Sequence, residues 1–243
     1  VHNDVLLIFF ILVALYLAIK KKNIVLSVIS LAIATAVKYV AILIVPFIVI
    51  YYFRKKSLLK RILNAIWLAI IFILVLGCTY LLYARDIQVI QGIFTQQGKY
   101  ANSLSLIIFL IDSNVAVQFT KISTSIFILV YFVEMLICLF NKNVKLIKNL
   151  RIIYTIILIF ILFVITNFQV WYIMWLLPFI SFQNKKIIKS TINLSIAAEL
   201  AFSVFFIFGE SYLYGGYLFG TMIVLWFVFN KVNFKKFVEF NIN

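Results

Sequence analysis

Three consecutive residues, His2, Asn3 and Asp4, bring an imidazole, an amide and a carboxylate together directly before an apolar run, Val5 to Ile19. A carboxylate so placed can take a proton from a hydroxyl or hold a divalent metal. The plainer reading is that Asn3 or Asp4 caps the first helix and favours its dipole. Lys38 interrupts a second apolar stretch, Ile24 to Phe53. An ammonium flanked by Ala36-Val37 and Tyr39-Val40 at membrane depth is costly unless it snorkels or meets an anion. If it reaches an interface, it suits a lipid phosphate or pyrophosphate. Later in the chain, Asn167-Phe168-Gln169-Val170-Trp171-Tyr172, followed by Trp175 and Pro178, joins amides to aromatic faces. Such a segment can stack on a sugar ring and bond its hydroxyls, or simply form an aromatic belt at the lipid interface. Glu134 and Glu199 lie inside apolar runs, where a carboxylate is a functional hypothesis by default. Glu134 sits near a basic loop and is expected to pair with a loop lysine.

The surroundings of these groups are membrane-like. Hydrophobic residues make up 66% of the 243 and charged residues 12%, and mean hydropathy is +1.17. A soluble domain has about 45–50% apolar and roughly 25% charged residues. The net charge of +15 is parcelled in short clusters between apolar runs, which is the pattern of the positive-inside rule and not of a nucleic-acid surface. Cys78 and Cys138 lie within apolar runs without a CxxC and read as packing residues. With one histidine in the chain, a multi-histidine metal site is excluded. The chain opens at Val1, directly on a polar motif, and reads as the C-terminal portion of a longer protein that lacks its N-terminal helices.

Apolar length and Lys/Arg bias predict an all-α, polytopic helical membrane protein forming one transmembrane domain over residues 1–243. About nine spans are expected, at 5–19, 24–37, 39–53, 62–84, 123–140, 152–166, 170–182, 191–208 and 215–229. The second and third form a hairpin with Lys38 at its outer turn. Residues 85–122 form an extracytoplasmic or interfacial segment, in which Leu104 to Ile111 is too short to span. This topology places eighteen of the 22 Lys and Arg residues on the cytoplasmic side, with the C-terminus, and leaves Lys38, Arg85, Lys99 and Lys121 outside. The outer face then also collects His2, Asn3, Asp4, Asp86, Asp112, the Asn167–Tyr172 turn and Glu210, so chemistry is expected there.

The His2-Asn3-Asp4 segment, the span that ends in Lys20-Lys21-Lys22, and the hairpin whose Ala36-Val37-Lys38-Tyr39-Val40 precedes Ile44-Val45-Pro46 together resemble a recurring part of the GT-C superfamily. These are integral membrane glycosyltransferases, and the likeness is to bacterial, polyprenyl-phosphate-sugar-dependent, mannosyltransferase-like members. Phe168 to Pro178 resembles an aromatic segment that such proteins carry late in the chain, with Val170 where they often have Pro. The two segments cover about a quarter of the chain. The resemblance implies a GT-C-like bundle and a hexosyltransferase with an extracytoplasmic active site. It would move a mannose-like hexose from a polyprenyl-phosphate sugar to a lipid- or glycan-linked hydroxyl. Asp4 and His2 are then the catalytic candidates, and Asn3, Lys38, Tyr39, Arg85, Lys99, Asn167, Gln169, Trp171 and Tyr172 the substrate-binding ones. No cofactor is required by this reading; if a divalent cation assists, Asp4 and Asn3 are its expected ligands. The acid that such enzymes carry in the first outer loop lies upstream of this segment, so it falls before Val1 or Asp4 takes its place. The expected partners are the donor, the acceptor and the bilayer, and no nucleic acid. The alternatives are a transporter or flippase, or a polymerase, of lipid-linked glycans, or a non-catalytic membrane subunit. A transporter would show matching broken helices in two halves, and the chain has two prolines and no visible repeat.

Overall fold

A computed structural model describes residues 3–83, 103–208 and 212–231, with side chains left out at 82–83, 204–208 and 212–217. Among the described residues every regular element is helical: α1 (Asp4–Ile19), α2 (Ile24–Val37), a 3-10 segment (Tyr39–Leu43), α3 (Val45–Phe53), α4 (Leu58–Tyr83), α5 (Leu104–Phe109), α6 (Ser113–Phe140), α7 (Leu146–Ile159, running into a π turn at Phe160–Val164), a second 3-10 segment (Val170–Leu176), α8 (Leu177–Ile180), α9 (Lys185–Phe208) and α10 (Tyr212–Lys231). They form two compact units, Val1–Gln96 with Ser125–Ile159 and Met174–Phe182, and Gln97–Thr124 with Phe160–Ile173 and Gln183–Asn243.

In the first unit, α1 and α2 form a hairpin. Lys22 takes a left-handed conformation (φ 53°), which reverses the chain within four residues, and the Asn23 side chain accepts from Leu26 N (3.1 Å) to open α2. Leu7, Ile11, Ala14 and Ala18 of α1, spaced three and four apart, are buried, as are Val28, Leu31, Ala32 and Ala34 of α2, and the two helices pack on each other. Small residues let the two backbones approach, and Ser27 and Ser30 donate across the interface to the Ala14 and Phe10 carbonyls, at 2.8 Å each. Side-chain bonds of this kind hold helices together where hydrophobicity alone cannot. The opposite face of α1 exposes Val5, Phe9, Leu12 and Tyr16; a helix that is apolar all round belongs in a core or in lipid.

Pro46 lies in the first turn of α3, where its missing N–H costs nothing. Phe47 is fully buried, its ring edge-on to Tyr131 (5.5 Å), and its carbonyl accepts from Asn149 of α7 (3.2 Å). Arg61, 2% exposed, donates to the carbonyls of Lys56, Arg54 and Leu139, so one guanidinium ties α4 to the ends of α3 and α6.

In the second unit, α9 and α10 are joined by bonds from Asn193 to Phe229 O (3.1 Å) and from the Trp226 indole to Ser190 O (2.8 Å). Ser103 caps α5 through its hydroxyl, which accepts from Leu106 N, and Phe168 meets Phe219 edge-on at 5.5 Å.

Among the described residues three helices suffice, by length and composition, to cross a membrane, Leu58–Leu81, Ser113–Phe140 and Leu146–Val164. Five further apolar helices are shorter, among them Asp4–Ile19 and Ile24–Val37. At 1.5 Å per residue, 14–16 residues reach only about 21–24 Å of a roughly 30 Å hydrocarbon layer. Several expected boundaries also move: α4 begins at Leu58 rather than near 62 and α9 at Lys185 rather than near 191. Helix α6 begins at Ser113 rather than near 123, because Asp112 accepts from Asn114 N and Val115 N (2.7 and 3.2 Å) and opens the helix among polar residues. Helix α7 begins at Leu146 rather than near 152. The expected span 170–182 is a 3-10 segment and one helical turn with Pro178 at its start.

Candidate functional site

The hairpin register positions the central pair. Continued past the Ser30–Phe10 bond, the antiparallel pairing of α1 and α2 sets the first residue of α1, Asp4, against the residue that ends α2, Lys38. Helix dipoles favour both: a carboxylate at an N-terminus and an ammonium at a C-terminus. Lys38 leaves the helix in an extended conformation (φ −152°, ψ 128°), and its Nζ lies 2.8 Å from Asp4 Oδ1 and 3.0 Å from Oδ2. The Trp175 indole N–H donates to Asp4 Oδ1 at 2.6 Å, and the Lys38 ammonium stands 5.4 Å from the indole ring centroid, within cation–π range.

Burial is unequal across the pair. Asp4 is 1% exposed, while the Lys38 side chain keeps 24% of its surface. The carboxylate is thus buried and held by two donors, while part of the Lys38 side chain stays exposed. Helix capping, the plainer expectation for the tripeptide, is not what the carboxylate does: Asn3 is the N-cap residue and makes no side-chain cap bond.

The other candidates are distributed as follows. Tyr39, beside Lys38 at the start of the first 3-10 segment, is 55% exposed. Asn167 and Gln169 bond one another (Nε2 to Oδ1, 3.0 Å), Trp171 stands edge-on to Phe202 at 6.4 Å, and Tyr172 N donates to Gln169 O at 2.9 Å; all four belong to the second unit. His2, Arg85 and Lys99, with Asp86 and Glu210, lie outside the described residues. Among the described residues no three of His, Cys, Asp and Glu come together, and a cation on Asp4 would have to displace the Lys38 ammonium or the Trp175 N–H.

Trp175 was visible in the sequence only as part of an aromatic segment. Its bond to Asp4 spans 171 residues of chain and has no local signature.

Residues 1–54 match the model of the MptA_B family, described as alpha-(1->6)-mannopyranosyltransferase, N-terminal domain. The match runs from the polar tripeptide to Arg54, just past α3, and so contains both Asp4 and Lys38. Comparisons with curated proteins and with solved structures each found no match.

Proposed function

We propose that the chain is a mannosyltransferase of the bacterial membrane, of the GT-C kind, that moves mannose from a polyprenyl-phosphate sugar to a lipid- or glycan-linked hydroxyl at the extracytoplasmic face. The observation that carries this is a lysine at a helix break, oriented by a buried carboxylate, inside the segment that matches a mannopyranosyltransferase family. The shorter apolar helices cross as tilted or paired spans in a thinned bilayer, in the nine-span arrangement that the Lys/Arg asymmetry favours.

In this reading the acceptor oxygen attacks the anomeric carbon, the bond from that carbon to the phosphate oxygen breaks, and the polyprenyl phosphate departs with the bonding pair. Lys38 meets the charge that grows on the phosphate. Asp4 holds Lys38 extended, and Trp175 holds Asp4. A base must come within hydrogen-bond reach of the acceptor hydroxyl. Asp4 takes that role only when the donor phosphate draws the ammonium away from it; His2 is the other group proposed. Tyr39, Arg85 and Lys99 are proposed to line the donor site, and Asn3, Asn167, Gln169, Trp171 and Tyr172 to contact donor or acceptor.

The test is binding and transfer with polyprenyl-phosphate mannose, comparing wild type, Lys38→Gln and Asp4→Asn. Lys38→Gln is expected to lose donor binding. Asp4→Asn that also weakens donor binding supports the holding role, whereas Asp4→Asn that binds donor but transfers nothing assigns it the base. Unchanged binding and transfer in both variants would overturn the proposal.

A further inference from the structure

A cavity of about 170 Å³ opens between α6 and α7, both in the first unit over this stretch, with Glu134 on one wall and Lys148, Arg151, Ile152 and Ile156 on the other. It is a half-open groove, not an enclosed void: Lys148 and Arg151 are exposed, Glu134 is half-buried, and Ile156 is buried at its floor. On α7 these residues follow the three-and-four spacing of a single helix face, with the charges in its first turns and isoleucines below. From Lys148 to Ile159, the last lining residue, the trough runs about 16 Å.

The charges are poised but not joined. Among the described residues the half-buried Glu134 side chain and the exposed Lys148 side chain make no hydrogen bond or ion pair. The Arg151 Nε donates to Phe182 O at 2.8 Å, which fixes the guanidinium and keeps its two terminal amino groups for another acceptor. The cavity therefore presents two cations and one carboxylate above an apolar trough. A purely anionic guest would set its charge against Glu134, and a purely apolar one would strip water from all three charges without replacing it. A zwitterion satisfies each: a phosphate for Lys148 and Arg151, and a primary ammonium for Glu134.

We propose that this cavity holds the headgroup of a phosphatidylethanolamine-type membrane lipid, with the start of one acyl chain against Ile152 and Ile156. The site is separate from the Asp4–Lys38 pair, and its readout does not depend on sugar transfer.

The test is native mass spectrometry of the full chain in detergent, offered phosphatidylethanolamine, phosphatidylcholine and phosphatidylglycerol of equal chain length, and soluble phosphoethanolamine. Wild type is expected to retain phosphatidylethanolamine over the other two lipids by about fivefold, the upper range for one partly exposed ion pair. Glu134→Gln is expected to erase that preference, and Lys148→Gln to lower retention of all three lipids. Equal retention of phosphatidylcholine by wild type would overturn the proposal, as would an unchanged preference in Glu134→Gln or capture of soluble phosphoethanolamine alone. Should the variants fail to fold, the comparison of three lipids on wild type decides by itself.

Discussion

Replacing Lys38 with Met keeps most of the side chain's length and removes its ammonium. Asp4 would then be a buried carboxylate with one donor left among the described residues, the Trp175 N–H at 2.6 Å. Truncating one partner of a buried, hydrogen-bonded charge pair costs about 2–5 kcal/mol, mostly because the other charge is left uncompensated. Lys38 keeps 24% of its side chain exposed, so water can reach the gap, and the loss belongs at the lower end, about 2–3 kcal/mol. For a chain of this size that corresponds to a fall of roughly 5–10 °C in melting temperature. Cys138, 2% exposed, can report it: in a Cys78→Ser background, a thiol-reactive dye labels Cys138 only as the first unit opens. Adding Asp4→Asn to Lys38→Met removes the stranded charge while the amide oxygen still accepts from Trp175. The double variant is therefore expected to recover at least half of the loss, a coupling on the order of 1–2 kcal/mol. Melting of Lys38→Met with wild type, or a double variant that falls by the sum of the two singles, would refute the reasoning.

Two further outcomes follow from the same geometry. Trp175→Phe keeps an aromatic ring near Lys38 but deletes the donor to Asp4; it should lower stability by about 1.5–3 kcal/mol, the range for a hydrogen bond to a charged group, and weaken binding of a polyprenyl-phosphate donor. Arg61→Lys retains charge but cannot reach three carbonyls from one planar fork, so it should destabilise nearly as much as Arg61→Gln in the same thiol assay; full stability in Arg61→Lys would show that charge alone suffices.

Helix identity was legible because it rests on apolar periodicity: the second expected span, 24–37, coincides with α2, and the first differs from α1 by one residue. The meeting of Asp4 and Lys38 at one end of a hairpin was legible too, since two short spans and a four-residue connection leave little freedom in register. Hydropathy fails where polar residues are helical. Ser113, Asn114, Gln118, Thr120 and Lys121 read as loop, yet with Asp112 to start the helix they continue it. It also cannot separate a 3-10 segment from an α-helix, because Val170 to Leu176 is as apolar as a span. Trp175 was hidden for a different reason: its partner is distant in the chain, and an indole beside other aromatics gives no sign of which one carries a buried bond.

The extended residue between α2 and the first 3-10 segment bears on solvation. Where a helix stops, the carbonyls of its last turn lose their partners, and hydrocarbon offers them none. Thr35, Ala36 and Val37 end α2 just before Lys38, so the backbone itself calls for water, protein donors or a polar ligand at that point. The break thus places a demand for polar partners in the backbone itself, whatever the charge on Lys38, and a neutral residue at that position would leave the demand in place and remove only the cation.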